Sequence, residues 1–127
     1  MNILIDSSVW VDYFRGGEYS EILDSFIDEN ILCTNYLILS ELIPALNHNG
    51  HSKLVKLLRE ITKIPVNINW EIIIKYQTIC LSNGINKVGI SDLIILNNVI
   101  QNDLVLYSFD KHFDLISKHI NFKLFLP

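Results

Sequence analysis

Two rhythms of apolar positions alternate from one end of the chain to the other. Short apolar-rich runs, the pattern of strands buried on both faces of a parallel sheet, occur at Ile3–Ile5, 31–34, 64–66, 104–107 and 122–126. Between them, apolar residues recur every three or four positions, as on the inner face of a helix. Those stretches are 9–14, 18–29, 35–47, 51–61, 69–82, 92–101 and 110–117. The punctuation agrees with this division. Asp6-Ser7-Ser8 offers cap chemistry before the first helix, and Gly16-Gly17 stops it. Asn30 closes the second helix, and Asn35 opens the third, with Pro44 as an expected kink. Asn69 caps the helix that Gly84 ends, and Ser91 is the expected cap of the next. Strand and helix in alternation predict an α/β fold, with a short central parallel sheet flanked by helices in a single domain, 1–127.

Composition narrows what such a domain can be. The chain has 127 residues, of which 50% are hydrophobic and only 19% charged. That length supports a core without disulfides or a structural metal, and that apolar content excludes disorder. No apolar run approaches the roughly 18 residues needed to cross a bilayer; the run at 37–43 is already broken by Ser40 and Glu41. Ile3–Ile5 is too short for the apolar core of a signal peptide, and Asp6 follows at once. A soluble cytoplasmic protein with no membrane partner is expected. So much apolar residue on a small body also predicts a self-association face or a binding groove. The net charge of −4 lacks the basic excess of a general nucleic-acid binder. Contact with nucleic acid must then rest on a local patch or on metal ions. Cys33 and Cys80 have no CxxC spacing and read as buried, reduced thiols.

In open α/β sheets, ligands bind beyond the carboxyl ends of the strands. Four acids are placed to lie there. Asp6 follows the first strand, Asp110 lies just past the strand at 104–107, Glu41 is on the helix after the second strand, and Asp92 is in the first turn of its helix. Three have ordinary explanations: Asp6 and Asp110 as helix caps, Asp92 as an acid favoured by the helix dipole. Glu41 sits in a helix apolar nearly all round and is expected to be buried, with no lysine or arginine within a turn or two to pair with it. Together the four carboxylates would repel one another unless they surround a cation. All-oxygen ligation suits Mg²⁺ or Mn²⁺ rather than zinc. Such an ion can orient and hydrolyse a phosphodiester.

At these positions the sequence resembles the PIN-domain ribonucleases, in particular VapC-type toxins of toxin–antitoxin pairs. The opening segment from Ile3 to Gly16, with Asp6 leading and Ser8 at the small hydroxyl position, is similar to the family's first motif. Leu39-Ser40-Glu41-Leu42 resembles the second, Gly89-Ile90-Ser91-Asp92-Leu93-Ile94 the third, and Tyr107-Ser108-Phe109-Asp110-Lys111-His112-Phe113 the fourth. There Ser108 stands where the family more often has threonine. The resemblance spans essentially the whole chain. It implies a single PIN-like domain and an endoribonuclease dependent on Mg²⁺ or Mn²⁺, dimeric and held inactive by an antitoxin. It places the metal on Asp6, Glu41, Asp92 and Asp110, with Ser8 as a polar helper.

Basic residues offer the RNA contacts that an acidic protein needs. Lys53, Lys56 and Arg59 recur at helical spacing on the helix at 51–61, and Arg15 and Lys111 lie beside motif acids. Trp10, Tyr13 and Phe14 read as core. His112 and His119 lack a positioned nucleophile or a metal-binding spacing, and neither is taken as a general base. No P-loop or GxGxxG points to a nucleotide cofactor. The alternative function is a non-catalytic PIN-like module that only binds protein or RNA, although the acid set is complete. A phosphoacceptor domain would need an aspartate after the third strand, where this chain has Asn67-Ile68-Asn69.

Overall fold

The strand that the chain lays down first becomes the middle of the sheet. In the computed structural model, which describes residues 2–127, β1 (Ile3–Ile5) is at most 1% exposed and pairs on both sides. Ile3 and Leu4 face Leu32 and Cys33 of β2 (Leu32–Thr34), while Ile3, Leu4 and Ile5 face Val105, Leu106 and Tyr107 of β4 (Val105–Tyr107). β3 (Thr62–Lys63) and β5 (Lys123–Leu124) form the edges, so the order is β3-β2-β1-β4-β5, with every pair parallel. The fold class is the one the alternation predicts.

Seven helices among the described residues cover the sheet: α1 (Ser7–Phe14), α2 (Ser20–Asp28), α3 (Tyr36–His48), α4 (Ser52–Glu60), α5 (Trp70–Ser82), α6 (Ile90–Gln101) and α7 (Lys111–Ile116). The order in which strands are added reverses between β1 and β4, although the strands stay parallel. From β1 the chain steps outward to β2 and β3, then crosses back to add β4 and β5 on the other side. Loops leaving β1 and β4 therefore diverge at their carboxyl ends and open a crevice there.

Several boundaries differ from expectation for physical reasons. The third strand is Thr62–Lys63, not the apolar 64–66, because pairing with β2 ends when Ile64 N donates to Thr34 O at 2.8 Å. Ile64 and Val66 are half-buried without being in the ladder. α6 begins at Ile90, one residue before Ser91; Gly89 is its cap, with extended backbone and no side-chain bond. α1 starts at Ser7 rather than 9, directly after Asp6. Other punctuation stands: Asn35 and Asn69 cap their helices through their side chains, and α3 continues through Pro44. Asn30 (φ 55°) and Gly84 (φ 71°) take the left-handed conformation that ends helices.

The core joins all three layers, from Ile3, Leu4 and Ile5 to Trp10, Leu58, Leu93 and Phe113. Trp10 is fully buried, with Tyr13 and Phe14 packed beside it, as core residues. Cys33 and Cys80 are buried free thiols, and burial pushes the Cys33 thiol up to about 12. A buried amide chain escaped the sequence reading. Asn35 Nδ2 donates to Asn98 Oδ1 at 3.0 Å, and Asn98 Nδ2 donates to Pro65 O at 2.9 Å. Because Asn35 also caps α3, this chain fixes α3 against α6, the two helices that carry Glu41 and Asp92. No helix among the described residues is long and apolar enough to cross a membrane.

Candidate active site

Asp6 occupies the N-cap position of α1, yet its side chain caps nothing. Only 5% exposed, it accepts instead from Ser108 Oγ at 2.7 Å and Ser8 Oγ at 3.1 Å, both on Oδ2. The same two hydroxyls accept from the loop after β4: Asp110 N donates to Ser108 Oγ at 3.0 Å and Phe109 N to Ser8 Oγ at 3.1 Å. Ser8 thus ties the first acid to the segment that carries the last. The capping explanation fails for Asp6, whose carboxylate is held by hydroxyls at the sheet's switch point.

Asp110 does cap a helix. Its Oδ1 accepts from His112 N at 2.9 Å, and His112 Nδ1 lies 3.0 Å from the same oxygen. Asp92, in the first turn of α6, feels the whole group. Burial first, then the negative charges of Asp110, Asp6 and Glu41, push its carboxyl up to about 6, with His112 opposing. Asp92 therefore lies within electrostatic reach of all three other acids.

Glu41 departs from expectation in one respect. The residue is exposed, not buried, because the inward stripe of α3 is Ile38, Leu39, Leu42 and Ile43, leaving Tyr36, Ser40 and Glu41 facing out. Its carboxyl nevertheless turns toward the site. Ser7 Oγ, next in sequence to Asp6, donates to Glu41 Oε2 at 3.2 Å. Partial burial raises its affinity for a proton, and the charge of Asp6 adds to that, while the Ser7 bond acts against it.

The tightest grouping of ligand atoms was not anticipated. Asp92, Asp110 and His112 each offer one atom, all within 4.8 Å of one another, with Asp6 and Glu41 flanking as further negative charge. His112 was set aside for want of a metal-binding spacing; its signal in the sequence is the two-residue step from Asp110, which brings a capping acid back onto the ring. His119 is exposed on the surface. Among the described residues, no lysine or arginine nitrogen comes within 4.0 Å of any of the four acids. Crowded carboxylates with no cation of their own, beside one imidazole, fit a divalent ion of the Mg²⁺ or Mn²⁺ kind.

The basic residues lie outside this cluster. Lys53, Lys56 and Arg59 are exposed along α4, and Lys111 is exposed at the start of α7. Arg15, also exposed, lines a groove of about 300 Å³ with Glu41, Phe14, Leu42, Leu46 and Leu54. That groove runs between α1, α3 and α4 and is bordered by Glu41 of the acidic site.

The PIN domain family model matches residues 3–119. No curated protein matches the chain. Three solved structures share its fold at low identity. VapBC2 from Rickettsia felis, bound to a DNA fragment from their promoter, matches with TM-score 0.76 and 17% identity over 98% of each chain. DNA-bound VapBC from Salmonella typhimurium gives 0.75 and 13%, covering 98% of this chain and 97% of that one. VapBC-1 from nontypeable Haemophilus influenzae gives 0.76 and 16%, with the same coverage.

Proposed function

The chain belongs to the PIN domain family, and we propose that it is an endoribonuclease, dependent on Mg²⁺ or Mn²⁺, acting as the toxin of a toxin–antitoxin pair. The carrying observation is at Asp92, where burial, and after it the charges of Asp110, Asp6 and Glu41, lift the carboxyl to about 6. A half-buried carboxyl set among like charges is the kind of group that a divalent cation stabilises in its ionised form. Asp6, Glu41, Asp92 and Asp110 would hold the ion. Once bound, it would polarise the scissile phosphate and lower the pKa of an attacking water.

The chain's own groups supply position. Ser8 and Ser108 fix Asp6 Oδ2, and the amide chain through Asn35 and Asn98 holds the helices of Glu41 and Asp92 in register. Arg15 and Lys111 flank the acids and would meet RNA phosphates, with Lys53, Lys56 and Arg59 as an outer rim. The VapBC complexes among the structural neighbours support an antitoxin partner and, with it, action in the cytoplasm. A homodimer is supported by the exposed Trp70, Ile74 and Leu81, which fall on one face of α5.

Cleavage of structured RNA with added Mn²⁺, abolished by a chelator and by Asp6→Ala, is the expected result. Cleavage by a folded Asp6→Ala variant would overturn the assignment. A wild-type protein that binds no Mn²⁺ in calorimetry and leaves RNA intact would point instead to the non-catalytic binding module.

A further inference from the structure

We propose that Tyr19, backed by Phe109, is the surface on which a nucleobase of the RNA substrate stacks beside the acidic cluster. The inference rests on the endoribonuclease reading above and names part of that substrate's binding site. Phe109 stands in the chain between Ser108, which holds Asp6, and Asp110. Its backbone N donates to Ser8 Oγ at 3.1 Å, and Ser8 Oγ donates to Asp6 Oδ2 at 3.1 Å. The residue is thereby tied to the frame that carries the first and last acids. Its ring meets two others. One is Tyr107, 1% exposed, with centroids 5.5 Å apart and the rings nearly perpendicular. The other is Tyr19, at 6.0 Å and tilted by 48°. Tyr19 is 41% exposed, so this row of rings leads from the core out to solvent at the loop that bears Asp110.

Helix capping does not account for Tyr19. It occupies the N-cap position of α2, where a short polar side chain would ordinarily accept a bond, and its side chain makes none. The segment before it is firmly held. Gly17 N donates to Asp12 O at 3.0 Å and Ser20 Oγ to Gly17 O at 2.7 Å, and a Cβ on Gly17 would stand only 2.0–2.3 Å from the Asp12 carboxyl. An aromatic ring on such a backbone has little freedom to lose when something binds to it. The chemistry that suits an open ring beside a phosphodiester-cleaving cluster is a nucleobase, because every base has a π face. From Phe109 to Lys111 the chain presents a ring, an acid and an exposed cation in succession. Those groups match a base, the reacting phosphate and a neighbouring phosphate.

The test is binding of a fluorescein-labelled single-stranded oligoribonucleotide of mixed sequence, followed by anisotropy in an Asp92→Asn background that leaves the RNA uncut. Tyr19→Leu keeps an apolar side chain against Phe109 and removes the π face; Tyr19→Phe keeps the face. Tyr19→Leu is expected to bind about 5–100-fold more weakly, with Tyr19→Phe within about twofold of the background protein. Both should keep its thermal midpoint. In Tyr19→Trp, the RNA should quench the added indole. Equal affinity in Tyr19→Leu would overturn the inference while leaving the endoribonuclease reading standing. Equal losses in Tyr19→Leu and Tyr19→Phe, or an indole that the RNA leaves unquenched, would do the same. A wild type that neither binds nor cuts the RNA would overturn the endoribonuclease reading itself, and this inference with it.

Discussion

Ser108 Oγ lies 2.7 Å from Asp6 Oδ2, although 102 positions separate the two residues. This bond closes the crevice between β1 and β4 at its base and sets the orientation of the first acid. A hydrogen bond to a charged group contributes about 1.5–3 kcal/mol. Ser108→Ala should therefore destabilise the fold by about 1–2 kcal/mol in chemical denaturation and weaken Mn²⁺ binding. Ser108→Thr keeps the hydroxyl and should retain both. An alanine variant as stable and as metal-competent as wild type would show that Asp6 is held by other means.

Asp92 binds its proton more tightly in the folded chain than in the unfolded one, near 6 against an ordinary 3.8. Between those values the native state holds a proton that the unfolded chain has released. The metal-free fold therefore loses stability as pH rises through that window, and the loss is complete above about 6. Asp92→Asn should remove this share of the pH dependence and raise metal-free stability at pH 7.5 by about 1–2 kcal/mol. The same substitution should abolish stabilisation by Mn²⁺. Thermal denaturation at pH 5 and pH 7.5, with and without the ion, checks both halves. A variant less stable than wild type at neutral pH would contradict the account of Asp92.

How much of this was legible in the sequence differs by feature. The central strands and the four acids could be read, because a buried parallel strand needs an unbroken apolar run and its end is where polar residues must appear. β3 could not be read. Two residues suffice for an edge strand, and the apolar segment 64–66 reports burial of Ile64 rather than pairing. Glu41 was expected inside because α3 looked apolar all round; composition alone does not say which stripe faces the sheet. The network through Asn35 and Asn98 was invisible, since its members lie 63 positions apart and asparagines ordinarily mark turns. His112 was missed for a related reason: its partner Asp110 looked complete as a helix cap.

The exposed face of α5 makes a separate prediction. Trp70, Ile74 and Leu81 are 58%, 58% and 61% exposed and recur at helical spacing, an apolar patch of the kind that an interface covers. Wild-type protein should sediment as a dimer at micromolar concentration, and Ile74→Glu as a folded monomer. A monomeric wild type would argue against a homodimer.

RNA contact by α4 can be read from salt dependence. Each lost phosphate contact should lower the slope of log affinity against log salt by about 0.7 for single strands. Lys56→Glu combined with Arg59→Glu should weaken RNA binding and flatten that slope by about 1–2. An unchanged slope would mean that the rim does not touch RNA.

Anomalous scattering from a crystal soaked in Mn²⁺ tests the convergence of the acids most directly. A single strong peak, or a close pair, is expected against Asp92 and Asp110, within reach of Asp6 and Glu41. A peak elsewhere on the surface, or none at concentrations that support RNA cleavage, would contradict the account.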